Sequence, residues 1–344
     1  MLALGVDVGT TAIKCALVDA HTREVVASAS TATSAYVDAV EDAGHREQSV
    51  AAVLRAAAAA VGQLPSRLRT RVASVGICGQ RADGWIDGLT RSGTKMHGIV
   101  WWRAADASHA FASLLTMDAG VRTSAWSRLV TWEDQRCSQE FLTELRTRVD
   151  GSCGHGTSSG LASGYGLATY AHTLATNAAA LEGYDACGTI HDLVAFVLCG
   201  SVDRAVACID TTDAFSWGGF DRDSQDWNWH TVDALGIPRE MLPKVTSPGT
   251  VVGHVVAGSP LLLPAGAQVF VPMGDHPCSV LAAVSQATGV DVASVVNIGT
   301  SAQLAMVLPV DATQHLSTES GRGFELRPFL TDNQVLGVAA ALSG

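Results

Sequence analysis

Short apolar runs broken by turn residues fill the first thirty positions, the pattern of strands joined by tight hairpins. Leu2 to Val8 reads as an apolar strand, Gly9-Thr10-Thr11 as a turn and Ala12 to Val18 as a second strand. Asp19 to Thr22 supplies another turn, and Glu24 to Ala29 completes a three-stranded meander. The spacing then changes to that of a helix, from about Gln48 to Val61, stopping near Gly62 and Pro65. Val72 to Cys78 is the next strand, flanked by Gly79-Gln80. Hairpins first, followed by strands alternating with helices, predict a mixed α/β sheet.

Composition narrows the function. A chain of 344 residues is long enough for two domains, and 47% hydrophobic against 16% charged residues provides for a sizeable core. The formal net charge of −11 argues against broad nucleic-acid binding, which needs a basic patch. The N-terminus has no basic region, Asp7 interrupts its apolar run, and no segment has the length of a membrane span. The expectation is a cytoplasmic protein with no membrane or nucleic-acid partner. Eight cysteines are scattered without a CxxC pair and read as reduced thiols, mostly buried.

A short repeat carries the first chemical signal. Residues 6–12 read VDVGTTA and residues 296–302 read VNIGTSA, and each copy joins a strand to a strand. A Gly-Thr turn is common between strands, so the match alone is weak. Its chemical reading is phosphate binding: glycine lets backbone amides approach an anion, and hydroxyls add donors. Asp7 before the first turn is a candidate Mg²⁺ residue, acting through water, where the second copy has Asn297. Lys14 either adds positive charge near the phosphates or is a solvated hairpin lysine.

Farther along, VFVPMGDHPCSVLAAV reads as a strand from Val269 to Met273, a turn at Gly274 and a helix from Pro277 to Val284. Asp275 therefore falls at the carboxyl end of a strand, as a reactive base or as a helix cap. His276 and Cys278 lack a second pair at zinc spacing. His191-Asp192 on a predicted helix offers acid–base chemistry as one reading and a structural role, which the resemblance given below favours, as the other. Trp101, Trp102, Trp227 and Trp229 read as core or cleft packing, with carbohydrate stacking by one of them as the alternative. No Ser-His-Asp order or Walker loop stands out.

DVGTTAIK, GDHPCS and NIGTS, in that order, resemble the FGGY family of carbohydrate kinases, relatives of hexokinase, actin and the Hsp70 ATPase domain. SRLVTWEDQRCSQEFL (127–142), YDACGTIHDLVAFVLCG (184–200), FSWGGFDRDSQDWN (215–228) and the final GVAAALSG extend the resemblance over nearly the whole chain. It implies an α/β, ribonuclease-H-like fold of the actin/hexokinase type, with two domains around a cleft. It also implies an ATP- and Mg²⁺-dependent kinase acting on a ketose such as sedoheptulose, with xylulose as an alternative acceptor and an inactive fragment as the alternative to catalysis.

The resemblance distributes roles. Asp275 matches the general base, and Asp7 the metal-associated aspartate. Gly9, Thr10, Thr11, Gly299, Thr300 and Ser301 match the phosphate hairpins, with Lys14 beside them. Gln80, Met96, His97, Trp132, Asp134 and Arg136 match positions at the sugar cleft, and IDTTDA (209–214) reads as scaffold around it.

Two departures stand out. Fifteen residues, RADGWIDGLTRSGTK (81–95), separate Gly79-Gln80 from Met96-His97-Gly98, which family members join directly. The sequence also stops at Gly344, before the Gly-rich adenosine motif of the family. The expected division is 1–287 for the sugar-binding domain and 288–344 for the start of an incomplete nucleotide-binding domain. On that expectation the strands around Val295–Val307 and Val335–Leu342 lack partners, solubility is low, and this chain is a poor kinase. The oligomeric state stays open, a homo-oligomer included.

Overall fold

The computed structural model describes residues 1–37, 44–79, 98–116, 123–150, 160–286, 294–298, 301–313, 324–331 and 333–342. Gln80, the 81–95 insert, Met96, His97, Ala287, Gly299 and Thr300 lie outside them, and of Ser301 only the backbone pairing is described.

The meander forms as the apolar pattern requires. Strands β1 (Leu2–Val8), β2 (Ala12–Asp19) and β3 (Val25–Ala32) run antiparallel to their neighbours. Along β1, Leu2, Leu4, Val6 and Val8 are buried, whereas Ala3, Gly5 and Asp7 on the opposite face are not. Helix α1 (Val50–Gln63) begins where the Ser49 side chain accepts a hydrogen bond from the Ala52 amide. It lays Val50, Val53, Leu54, Ala57 and Val61 into the core and packs on β2 and β3. It ends at Leu64, next to Pro65.

Strand β4 (Val72–Gly79) returns parallel to β1. Two helices that matter below follow, α2 (Ile190–Leu198) and α3 (Thr211–Ser216). Strands β5 (Val251–His254) and β6 (Gln268–Phe270) complete the sheet in the order β5-β6-β4-β1-β2-β3, and the short β7 (Met273–Gly274) pairs with the end of β4. A three-stranded antiparallel meander joined to the parallel strands β4 and β6 is the arrangement expected of a ribonuclease-H-like sheet, and β5 adds an antiparallel strand at its edge.

Here the sequence expectation needs one correction. The strand expected over Val269 to Met273 is interrupted at Val271-Pro272, because proline has no N–H to give to the ladder. Pairing resumes at Met273–Gly274, so Gly274 is a strand residue opposite Gly79 and not a turn. Helix α4 (Asp275–Gln286) begins at Asp275 itself, two residues before the expected Pro277.

The C-terminal strands correct a second expectation. β8 (Ser294–Ile298), β9 (Ser301–Pro309), β10 (Phe324–Pro328) and β11 (Gln334–Leu342) form an antiparallel sheet in the order β8-β9-β11-β10. They pair with one another, and Ala305, Phe329, Leu336 and Val338 share a small core with Val280 of α4. The helix before the sheet thus supplies apolar cover that the strands lack by themselves. Two larger cores lie elsewhere. One is between the main sheet, α1 and α2; the other gathers Trp101, Tyr170, Trp217, Phe220 and Trp227. Among the described residues no helix is long and apolar enough to cross a membrane.

Leu17 is fully buried in β2, whereas Leu304 in β9 is 39% exposed. Leu17→Ala is expected to cost about 2–5 kcal/mol of stability and Leu304→Ala about 0.5 kcal/mol or less. Urea denaturation of both variants checks this, and equal losses contradict the assigned core.

Candidate active site

Register brings the first site residues together. Asp7 of β1 faces Lys14 of β2 on one side and Cys78 of β4 on the other, and Cys78 faces Met273 of β7. Partners at one register level project from the same face of a sheet. At the next level Val8, Gly79 and Gly274 are aligned, and Asp275 follows as the first residue of α4. The two candidate carboxylates therefore stand at the carboxyl ends of β1 and β7, separated by β4, and both are half-buried. Burial pushes the Asp7 carboxyl up, while Lys14 and His191 pull it back. Lys14 is exposed and lies within electrostatic reach of Asp7.

Glycines allow this convergence. A Cβ on Gly79 would lie 2.6 Å from the Val8 carbonyl oxygen, so β4 reaches the end of β1 only because that position has no side chain. A Cβ on Gly9 would lie 2.7 Å from the Ala12 carbonyl oxygen, which restricts the tight turn to glycine.

Hydrogen bonds pin the same turn from outside. The Thr10 carbonyl accepts from Gln48 Nε2 at 2.7 Å and from Thr33 Oγ1 at 2.6 Å, and the Thr11 carbonyl accepts from the Thr33 amide at 2.9 Å. Gln48 is buried with no exposed surface, so its amide is committed to this contact. The second repeat shares only part of this description: β8 and β9 are antiparallel with Ile298 opposite Ala302.

The TWEDQR segment lies beside the first hairpin. Gln48 pairs with Leu129, and the Tyr36 hydroxyl donates to Glu133 and also interacts with Thr10. Asp134 is completely buried, and its carboxylate is fully engaged. Oδ1 accepts from the Arg136 amide and Nε at 2.9 and 2.7 Å; Oδ2 accepts from the Arg46 amide and Arg136 Nη2 at 2.7 and 2.9 Å. Arg136 Nη2 also reaches Glu47 at 2.9 Å. This clasp fastens the segment to the strand pair below the hairpin, and it uses the acceptors through which Asp134 would meet a sugar. Trp132 is half-buried, and its Nε1 is enclosed with no acceptor among the described residues.

Sequence reasoning missed a buried polar group behind the strand ends. His191 Nε2 and Asp213 Oδ2 are 2.6 Å apart with both side chains wholly buried. Asp192 of α2 closes a capping box with Thr189, and Asp210 caps α3 through the Thr212 and Asp213 amides. Burial lowers the affinity of His191 for a proton and holds Asp210 and Asp213 well above the usual carboxylate range. His191 feels the charges of both Asp7 and Asp275, and Asp213 that of Asp275. The partners are 22 positions apart on different helices, so no local pattern signals them. IDTTDA therefore does form scaffold, but its Asp213 is also electrically linked to the candidate base. Ligand atoms of His191, Asp192 and Asp213 lie within 4.8 Å of one another, at positions taken by the pair and the helix cap. Trp101, Trp102 and Trp227 are packing residues: Trp101 meets Tyr170 edge to face, Trp102 meets Phe196, and Trp227 donates to the Pro243 carbonyl.

Comparison with known proteins gives a consistent answer. Residues 108–276 match the N-terminal domain of the FGGY family of carbohydrate kinases. The chain is 33% identical to the sedoheptulokinases of Mus musculus and Homo sapiens over 353 and 351 residues; each alignment covers all of this chain and 66% of the relative. It thus spans slightly under two thirds of the length of these relatives. The solved structure of a ligand-bound xylulose kinase from Lactobacillus acidophilus superposes with a TM-score of 0.72 at 16% identity, covering 98% of this chain and 59% of that one. At that identity the likeness establishes the fold, which is the actin/hexokinase type.

The buried carboxyls set a pH dependence. Burial pushes Asp192 up to about 8, with His191 opposing and Asp213 adding to the shift. A carboxyl that titrates higher when folded binds its proton more tightly in the folded state. Its contribution is complete below the unfolded value near 3.8 and is lost as pH rises through about 8. His191, lowered by burial, has the opposite sign, confined to the region below its ordinary 6.5. The thermal midpoint is therefore expected to fall between pH 6.5 and 9, and to fall less in Asp192→Asn, which keeps the cap oxygen. A wild-type midpoint that rises across this range contradicts the assignment.

Proposed function

The chain belongs to the FGGY family of carbohydrate kinases, and on that premise we propose that it carries the sugar-phosphorylating site of an ATP-dependent ketose kinase, with sedoheptulose as the acceptor. The observation that carries this reading is the pair of half-buried carboxylates, Asp7 and Asp275, at the ends of strands on either side of β4 and beside a glycine hairpin. Sedoheptulose is favoured by the two sedoheptulokinases at 33% identity. Residues 1–287 are assigned to the sugar-binding side and 288–344 to the start of the nucleotide-binding side.

In this reading Asp275 accepts the proton of the sugar's primary hydroxyl as its oxygen bonds to the γ-phosphorus. The bond to the bridging oxygen breaks, and ADP leaves. What supports a phosphate site here is the tight turn at Gly9, where a Cβ would meet the Ala12 carbonyl oxygen, with the hydroxyls of Thr10 and Thr11 beside it. Asp7 offers the hard oxygen that suits Mg²⁺, with Lys14 as a second source of positive charge nearby. Bound Mg²⁺ supplies charge neutralisation to the transferring phosphoryl group. Gly299, Thr300 and Ser301 are assigned to the opposing phosphate turn. Trp132 is assigned to the sugar wall, together with Gln80, Met96 and His97. Arg136 and Asp134 serve that wall by holding the Trp132 segment in place.

Two measurements test the proposal. Calorimetry with sedoheptulose and xylulose reads acceptor binding, and ADP release with and without each sugar reads transfer. Tight sedoheptulose binding with sugar-dependent ADP release supports the proposal. Preference for xylulose overturns the choice of acceptor, and sugar binding without ADP release overturns catalysis by this chain.

Asp275→Asn is expected to lower the sugar-dependent rate by about 10²–10⁴ while sugar affinity changes little. An unchanged rate removes Asp275 from the role of base. Gly9→Val is expected to weaken nucleotide binding more than sugar binding, as titration with each ligand separately reveals; equal losses indicate a folding defect in place of a phosphate contact.

A further inference from the structure

A hydrogen bond crosses from the support of the first hairpin to the turn that carries Trp132. The chain leaving β3 is held at each step. Thr33, buried, gives its hydroxyl to the Thr10 carbonyl and its amide to the Thr11 carbonyl. Ser34 takes φ +43°, a left-handed conformation that a residue other than glycine keeps only where its neighbours fix it. Ala35 is buried, and its carbonyl accepts from the Ser49 amide at 2.8 Å. Tyr36 then forms an antiparallel bridge with Gln48, the residue whose side chain also holds the Thr10 carbonyl. This path carries the Tyr36 hydroxyl to Glu133, 97 positions away, where it donates to the carboxylate. Glu133 is half-buried between Trp132 and Asp134 in the chain, and Tyr36 is 41% exposed. Burial and Glu133 both push the phenol above its ordinary value, so it keeps its proton at neutral pH and remains a donor.

We propose that Tyr36 is a positioning residue that couples the acceptor wall to the first phosphate turn, so that a sugar bound at Trp132 tightens nucleotide binding at Gly9, Thr10 and Thr11. The two ligands are those of the kinase reading, on which this coupling rests; the tie between their sites rests on the hydrogen bonds alone. Those bonds close a ring. Thr10 is held by Gln48, the neighbouring Glu47 and Arg46 are held by the Asp134–Arg136 clasp, and Glu133 returns through Tyr36 and Thr33 to Thr10. Opening the ring at Tyr36 leaves the turn fastened from one direction only. A sugar packed on Trp132 orders the adjoining Glu133, and the ring passes that order to the turn whose amides would meet phosphate. The second ligand then meets a turn already ordered, and by linkage the nucleotide tightens the sugar by the same factor. A bond this exposed is worth a small factor, about two- to tenfold in an equilibrium constant.

The full chain is titrated with a non-hydrolysable ATP analogue and Mg²⁺, with and without saturating sedoheptulose, and the ratio of the two Kd values is the coupling. In the wild type the sugar is expected to tighten the analogue by about two- to tenfold. Tyr36→Phe and Glu133→Ala should each bring the ratio close to one, and the double variant should go no further. Glu133→Gln, which keeps an acceptor oxygen, should retain the coupling. Hydrogen exchange of the ligand-free chain reads the tie itself: Tyr36→Phe should speed exchange in residues 9–12 and 132–135 while α1 is unchanged. A structural role alone would weaken both ligands and leave the ratio intact. An unchanged ratio in Tyr36→Phe therefore overturns the proposal, as does a wild-type ratio of one or unchanged exchange at both segments. Faster exchange in the variant, with neither ligand binding to the wild type, overturns the kinase reading and the coupling with it. Binding of both ligands with an unchanged ratio overturns the coupling alone.

Discussion

The parallel pairing of Leu2–Val8 with Val72–Gly79 is the contact on which the rest of the site depends. It sets Asp7 beside Cys78, and through Cys78 it sets the level at which Met273–Gly274 joins the sheet. Since Asp275 follows Gly274 directly, a slip of one residue would turn Asp7 to the buried face and move the helix start away from it. Gly79 makes that register attainable, because any side chain there would meet the Val8 carbonyl. One backbone contact therefore governs the separation of the two carboxylates on which the proposed chemistry rests.

Around this frame, buried polar groups act as fasteners. Gln48 and Thr33 hold the first hairpin by its carbonyls, and the Asp134–Arg136–Glu47 clasp holds the TWEDQR segment against the strands below it. Such groups are costly to bury and persist only where their hydrogen bonds are made. Their number near the strand ends indicates that geometry, more than raw stability, is what these residues serve. His191 and Asp213 belong to the same class but differ in one respect: their charges reach Asp7 and Asp275, so they influence the ionisation of the site as well as its shape.

The C-terminal strands find partners within their own segment, with β8 and β10 as the outer strands of the sheet. Its strands satisfy one another and borrow Val280 from the helix that carries Asp275. A single helix thus contributes the candidate base as its first residue and apolar cover at Val280, linking the position of the base to the packing of that sheet.

What the sequence by itself determined was local. Alternation in Leu2–Val8, turn residues at Gly9-Thr10-Thr11 and the helical spacing after Gln48 specify elements through steric and apolar preferences that act over a few residues, and these elements formed close to their expected limits. Asp275 was legible as a strand-end carboxylate for the same reason. The tertiary structure alone decided which distant residues meet. The His191–Asp213 pair, the enclosure of Asp134 by Arg46 and Arg136, and the mutual pairing of the last four strands join positions far apart in the chain. Each depends on sheet register and helix packing, which arise from the summed burial of many side chains and leave no mark in the few residues on either side.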